Sequence, residues 1–177
     1  MFRSYSVLTL KSIDDAERVF EGVASTPTPD RAQDVVNPLG ARYKLPLPLL
    51  YQHASDKPVG EVFAATPTPS GITVRARVFK ATESRTLRER LDECWESIKI
   101  GALRGLSVGF VPLDPPELLD SGGLMFNAYE WIELSVCSIP MNAEANITNV
   151  KSHFAAARRK GHVVVRLDAA TLRRARG

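Results

Sequence analysis

The sequence predicts an α+β domain built around a β-sheet or barrel. Three observations support this fold class: several short segments alternate like β-strands, one segment has a strong helical period, and long proline-containing loops separate them. Of the 177 residues, 44% are hydrophobic and 24% are charged, values that suit one globular domain with its own core.

The strand predictions rest on alternation and on β-branched or aromatic residues. The clearest case is the segment GITVRARVF at 71–79, in which the apolar side chains fall on one face. Further strands are predicted at 2–10, 17–25, 59–67 and 103–112, with one long strand or two strands joined by a bend over 124–140. The proline-containing segments 26–41 and 45–58 are predicted to be irregular, and the second to pack against the body.

One helix is predicted strongly, because a single apolar stripe repeats at helical spacing between positions 82 and 101. The stripe consists of Leu87, Leu91, Cys94, Trp95 and Ile98. Thr82 or Ser84 can cap its start, and Gly101 can follow its end. A second helix is predicted over 142–160.

The net charge of +3 conceals a basic C-terminal end. Residues 158–177 carry many arginines against a single acid, Asp168. We therefore predict a folded domain over 1–157 and a basic tail over 158–177. Such a tail is either a solvated end or a docking segment for an acidic partner or nucleic acid.

Cysteine usage and hydropathy narrow the class of protein. The two cysteines form no CxxC pair, which favours a reducing compartment. The N-terminal segment lacks the apolar stretch of a signal peptide, and no apolar run approaches the roughly 18 residues that a membrane span needs. We therefore expect a soluble protein made in a cytoplasm. The three histidines have no ligand spacing, so neither a metal nor another cofactor is expected.

Ser107 is the first candidate for chemistry. It lies between Gly105 and Gly109, and alternation places these three residues on one face of a strand, with Leu106 and Val108 on the other. Two interpretations are open. The glycines could let another element pack closely, or they could expose a nucleophilic hydroxyl.

A serine nucleophile needs a base, and the base needs an orienting acceptor. His53 follows an apolar segment and precedes a predicted strand. A loop that ends at a rigid strand can hold a catalytic group in a fixed position. Both other histidines, His153 and His162, lie in or next to basic segments and are expected to face solvent or a partner. Glu133 is set among apolar neighbours in a predicted strand, where a carboxylate needs a partner unless the strand is an edge facing water.

Three other acids remain candidates for the role of acceptor. Glu130 lies nearer the start of the same predicted strand, and Asp34 and Asp56 lie in predicted loops. Residue types alone do not choose among them.

Four segments, in this order, resemble the prohead (capsid maturation) proteases of tailed bacteriophages, a family distantly similar to the herpesvirus assemblins. They match an early glycine-plus-aspartate segment, a histidine motif, a serine motif and a closing Glu-x-Ser motif, and read EGVASTPTPDRAQDVVNPLGA, LPLLYQHASDKPVGEV, IKIGALRGLSVGF and WIELSVCSIPMNAEANI. The resemblance covers roughly residues 20–152. It implies a mostly antiparallel β-barrel core of about six or seven strands surrounded by helices.

The resemblance also implies an activity, that of a serine endopeptidase. Ser107 would be the nucleophile, His53 the general base and Glu133 the third member, in a place where assemblins carry a histidine. On physical grounds, the backbone N–H groups of Val108 and Gly109 are the candidate donors to the oxyanion.

The implied substrates are capsid-assembly proteins: the scaffold segment of the major capsid protein, a separate scaffold protein, and the protease itself. The implied location is the procapsid, in the cytoplasm of a host bacterium. A homodimer is left open, a membrane partner is not expected, and nucleic acid is disfavoured as a partner. The alternatives are a non-catalytic scaffold or capsid-associated protein with the same fold, and a cysteine hydrolase using Cys94 or Cys137.

Overall fold

A computed structural model describes residues 17–150. The strands in this range are β1 Val19–Ser25, β2 Val35–Val36, β3 Ala41–Arg42, β4 Leu47–Tyr51, β5 Ala54–Thr68, β6 Gly71–Val78, β7 Gly105–Pro112, β8 Glu117–Leu118, β9 Leu124–Phe126, β10 Tyr129–Cys137 and β11 Ile147–Val150. A 3-10 turn spans Pro38–Gly40, and helix α1 spans Arg85–Lys99. The strand predicted at 2–10 and the tail predicted at 158–177 lie outside the described residues.

The main sheet has the strand order β11-β1-β6-β5-β4-β10-β3, and β7 pairs with β10 away from this path. Most neighbours are antiparallel, but β10 runs parallel to β3 and β4. A second, three-stranded sheet has the order β2-β9-β8. The long hairpin β5–β6 and its neighbour β1 carry much of the apolar core, including Phe20, Val62, Ile72 and Ala76, which have no exposed surface.

The predicted barrel surrounded by helices is not confirmed. The described residues are mostly β with one α-helix, and the ladder does not close. The start of β7 meets the segment before β11 at an isolated bridge between Gly105 and Asn146. Leu106 donates its N–H to the Ala145 carbonyl there, at 2.9 Å. The chain turns at residues 143–144, just before this bridge. The contact between β7 and this segment is therefore a single bridge, whereas a closed barrel would have two paired strands there.

Helix α1 forms where the apolar stripe predicts it. Ser84 is the N-cap, and its hydroxyl accepts a hydrogen bond from the Leu87 N–H at 3.3 Å. Gly101 follows the helix with φ +75°, a conformation that favours glycine. The helix buries Leu91, Cys94, Trp95 and Ile98 against the sheet. Over residues 17–150, no helix is both long enough and apolar enough to cross a membrane.

Two predictions of local structure are wrong in the described range. Residues 147–150, expected in a second helix, form β11 and pair with β1. The β-branched residues Ile147, Thr148 and Val150 favour a strand, and the edge of β1 offers the hydrogen bonds. Residues 45–58, expected to be irregular, form β4 and the start of β5. Pro58 is tolerated there because it lies at a shift in the β4–β5 register.

Candidate active site

Strand β10 sets the positions of the predicted site residues relative to one another. Ser135 pairs with Ser107 of β7 on one side and with Leu50 of β4 on the other. Two positions away, Glu133 pairs with Gly109. Because paired residues and residues two apart face the same side of a sheet, Ser107, Ser135 and Glu133 share one face. The structure thus places the predicted nucleophile and the predicted acid on adjacent strands.

The opposite face of the same two strands belongs to the core. Leu106, Leu134 and Val136 are fully buried there. On β7, Val108 and Phe110 also pack against this core and are partly buried, so the prediction that alternating residues of β7 form an apolar face is confirmed. Ser107 itself is 5% exposed, so its side chain lies just below the surface.

The glycines beside Ser107 do not clear an empty face, which corrects one sequence-based interpretation. A Cβ atom placed on Gly109 would lie 2.0 Å from Glu133 Oε1. One on Gly105 would lie 2.7 Å from the Pro140 ring. Each glycine is therefore needed because another group occupies the space beside it, and on the Gly109 side that group is the carboxylate of Glu133.

Glu133 is half-buried in the middle of the sheet, with defined partners. Its Oε2 atom accepts a hydrogen bond from the Ser135 hydroxyl at 2.9 Å, and its main-chain carbonyl accepts one from Trp131 Nε1 at 2.6 Å. Burial raises the pKa of the Glu133 carboxyl, while the Ser135 hydrogen bond and the charge of His53 act to lower this pKa. A positive charge at His53 therefore stabilises the carboxylate form.

His53 lies at the tip of the β4–β5 hairpin, between the paired residues Tyr51 and Ala54. Gln52 and His53 have φ values of 53° and 60°, the pattern of a type I′ turn, which usually selects asparagine and glycine. Two larger residues in this conformation store backbone strain, a feature often found at functional sites.

The turn is tied to β10. The Gln52 N–H donates to the Val136 carbonyl at 2.9 Å, and Gln52 Oε1 accepts from the Ser138 N–H at 3.1 Å. The side chain of His53 is exposed. In the described range, the side-chain hydrogen bond accepted by Glu133 comes from Ser135 rather than from His53. His53 thus acts on Glu133 through its charge, from a turn anchored to the same strand.

The remaining candidate acids lie elsewhere. Glu130 and Asp56 are exposed. Asp34 accepts a hydrogen bond from the Leu124 N–H at 2.8 Å. Of the four predicted acids, Glu133 is the one that pairs with β7 close to Ser107, at Gly109. It is also the one whose carboxyl interacts with His53.

The two candidate oxyanion donors point in different directions. The Leu106 N–H points away from β10, toward Ala145. Since main-chain groups alternate along a strand, the Val108 N–H points to the same side, and the Gly109 N–H points toward β10. The geometry therefore favours Val108 over Gly109 as a donor to a bound ligand.

A cavity of about 230 Å³ opens beside Ser107 and Val108. Its other lining residues come from β1, from the segment that follows β1, from the two sheets and from the segment after β10: Ala24, Ser25, Thr28, Asp30, Asp34, Val36, Phe110, Phe126, Met141 and Asn142. The walls are mainly apolar, and a space of this size accommodates a side chain of a peptide.

The segment after β1 and the segment after β10 are hydrogen-bonded to each other beside this cavity. The Arg31 N–H donates to the Met141 carbonyl at 3.0 Å, and Arg31 Nε donates to the Pro140 carbonyl at 2.9 Å. Asn142 Nδ2 donates to the Thr26 carbonyl at 3.1 Å. The early segment and the closing segment of the four predicted motifs therefore form one wall beside Ser107.

The two cysteines lack the environment of a nucleophile. Both are fully buried. Burial raises the pKa of the Cys94 thiol to about 12 and, together with the charge of Glu133, that of Cys137 to about 11. A reactive thiol needs the opposite shift. Across residues 17–150 no group of three or more His, Cys, Asp or Glu side chains is placed to hold a metal ion.

The sequence alone does not identify Ser135 as a site residue. Its hydrogen bond to Glu133 follows from the Glu-x-Ser spacing, because residues two apart on a strand face the same side. This spacing was visible, but the sequence alone does not show that Ser107 lies opposite Ser135.

The chain resembles proteins of tailed phages. A family model described as caudovirus prohead serine protease matches residues 30–160. The capsid polyprotein of Pseudomonas phage PAJU2 is 51% identical over 150 residues, which cover 85% of this chain and 22% of that protein. The prohead protease of Escherichia phage T5 is 26% identical over 155 residues, covering 81% of this chain and 70% of that protein. The chain thus spans about a fifth of the length of the first relative.

Proposed function

Because the chain belongs to the caudovirus prohead serine protease family, we propose that it is a serine endopeptidase that cleaves capsid-assembly proteins during procapsid maturation. The observation that carries the proposal is the common face of Ser107 and Glu133 on paired strands, with the charge of His53 acting on Glu133. These are the three residue types that acyl transfer by serine requires.

In the proposed mechanism His53 removes the Ser107 proton as the oxygen attacks a peptide carbonyl. The Glu133 carboxylate stabilises the positive charge that His53 gains. The Val108 N–H stabilises the oxyanion, with Gly109 as the second candidate. His53 then returns the proton to the leaving amine, and the same base activates the water that hydrolyses the acyl-enzyme.

The cavity beside Ser107 supports the binding of an extended peptide. It lies next to both the proposed nucleophile and Val108, so a side chain near the scissile bond can enter it. We propose that the substrates are the scaffold segment of the major capsid protein, or a separate scaffold protein, inside a procapsid in the bacterial cytoplasm. Self-cleavage belongs to the same proposal and is supported by the relative named a capsid polyprotein.

Two structural parts of the proposal concern the whole chain. The protease domain would span 1–157, and the basic tail 158–177 would dock an acidic scaffold or be removed by self-cleavage. Homodimer formation belongs to the same proposal.

Co-expression with the major capsid protein of the same phage tests the function. We expect Ser107→Ala and His53→Ala each to abolish processing of the capsid protein while circular dichroism shows a folded protease. Ser97→Ala, in helix α1, is the control and should process normally. Undiminished cleavage by Ser107→Ala would overturn the assignment. An unprocessed capsid protein with wild-type chain bound to it would favour a non-catalytic scaffold role.

A further inference from the structure

We propose that Ser135 and Gly109 form a seat for the Glu133 carboxylate and are positioning residues of the active site. This inference rests on the proposed serine peptidase function and extends it to the Ser135 hydroxyl and to the missing side chain of Gly109, both of which act through Glu133. It concerns how the carboxylate is held, not which group performs the chemistry.

The first part of the seat is a donor. Ser135 has no exposed surface, and its hydroxyl donates to Glu133 Oε2 at 2.9 Å. Glu133 and Ser135 are two residues apart on β10, so the strand itself fixes their separation. A buried donor that bonds a carboxylate both orients it and favours its ionised form.

The second part is a space on the facing strand. Glu133 Oε1 lies where a side chain at position 109 would begin, 2.0 Å from an ideal Cβ on Gly109. Any larger residue at position 109 must push the carboxylate away. One oxygen is therefore held by Ser135 and the other fits against the backbone of β7.

The seat lies beside the proposed nucleophile. Ser135 pairs directly with Ser107, and Gly109 is two residues further along β7. The seat thus fixes the carboxylate relative to Ser107 while His53 approaches from the β4–β5 turn. A carboxylate with one defined orientation can hold an imidazole in one tautomer.

The surroundings of Glu133 define what titrates there. Within residues 17–150, the titratable groups that interact electrostatically with it are His53, from the β4–β5 turn, and Cys137, four residues further along β10. Strand β7 contributes Ser107 and Gly109, which carry no charge. Loss of the Ser135 donor removes one of the two influences that lower the pKa of the Glu133 carboxyl.

The test uses a fluorophosphonate probe, which needs no knowledge of the natural substrate. The Ser107 oxygen forms a bond to phosphorus, fluoride leaves, and His53 takes the hydroxyl proton. The rate constant for labelling the full-length chain is measured from pH 5 to pH 9, and the labelled residue is identified by mass spectrometry.

We expect Ser135→Ala to lower the labelling rate at neutral pH about tenfold and to move the acid limb of the pH profile to higher pH. Ser135→Thr, which keeps the hydroxyl, should restore most of the rate. Gly109→Ala should lower the rate without removing any hydrogen-bonding group. Val136→Ala, on the opposite face of β10, is the control: it should lower thermal stability and leave the pH profile in place.

The outcomes separate the two proposals. A Ser135→Ala chain that folds and keeps the wild-type rate and pH profile overturns the seat, as does an unchanged rate in Gly109→Ala. If Val136→Ala shifts the profile as Ser135→Ala does, the effect is general loosening and the seat is also overturned. If the wild-type chain is not labelled at Ser107, the serine peptidase function itself is wrong, and the catalytic role of the seat with it.

Discussion

The carboxylate of Glu133 fills the position that a side chain on Gly109 would take, with Oε1 only 2.0 Å from an ideal Cβ. The two residues face each other on β10 and β7, two pairs away from Ser107. The glycine therefore makes room for an acid and does not expose the serine. This contact defines the first prediction.

Exchanging the acid for an amide should separate Glu133 from Glu130. We expect Glu133→Gln to lower the rate of capsid processing by about 10²–10⁴-fold, because a neutral amide does not stabilise a positive charge on His53. Glu130→Gln, on the exposed part of the same strand, should process at the wild-type rate. A large loss in Glu130→Gln and none in Glu133→Gln would reverse the assignment.

The same Glu133→Gln exchange should affect stability with a defined pH dependence. Burial raises the pKa of this carboxyl above its ordinary value of 4.5, so the folded protein binds its proton more tightly than the unfolded chain does. The free energy of unfolding therefore falls as the pH rises from about 4.5 through the raised value. Glutamine does not titrate, so the variant should gain stability relative to wild type over this window.

Urea unfolding at a series of pH values between 4 and 8 measures this difference. The gain of Glu133→Gln over wild type should grow toward neutral pH. A difference that is constant with pH would mean that the folded and unfolded carboxyls titrate alike.

Two substitutions of His53 should differ in stability although both abolish activity. His53 has φ 60°, which glycine adopts without strain. We expect His53→Gly to be more stable than His53→Ala by about 1 kcal/mol, although neither variant processes the capsid protein. Thermal unfolding of the two variants measures the difference. Equal stabilities would show that the turn relaxes and stores no strain.

Filling the cavity beside Ser107 should affect substrate cleavage more than serine reactivity. Ala24 is buried and lines this cavity. We expect Ala24→Leu to slow capsid processing by about tenfold or more, because a substrate side chain loses its space. Labelling of Ser107 by a small fluorophosphonate should change little.

The control for this variant is Ala102→Leu, at an exposed position after helix α1. It should process and label as wild type. If Ala24→Leu loses processing and labelling to the same extent, the residue acts on the serine and not on the binding of substrate.

Local patterns in the sequence predict much of the fold. Helix α1 and strand β6 form where their periodicities indicate, because each buries one apolar face. Residues 147–150 could not be assigned in this way, since Ile147 and Val150 are three apart, a helical spacing, and pairing with the edge of β1 makes them a strand instead. The bridge between β7 and the segment before β11 depends on hydrogen bonds between residues far apart in the sequence, which local patterns do not predict.

The candidate site was predictable as residue types but not as contacts. Ser107, His53 and Glu133 stand out because a serine between glycines, a histidine at a strand boundary and an acid among apolar neighbours each need a physical explanation. Their spatial relation depends on the pairing of β10 with both β4 and β7. The contact between Glu133 and Gly109 required this register, so the sequence led to the wrong reason for Gly109.

The register of β10 also has a consequence for how the site can fail. A slip of one residue against β7 would turn Leu134 and Val136 outward and Glu133 and Ser135 into the core. Such a slip exposes apolar side chains and buries a carboxylate, so the misaligned site is also the less stable fold. Chains that reach the native core therefore have Glu133 and Ser107 aligned, so correct folding of the core and correct assembly of the candidate site are one event.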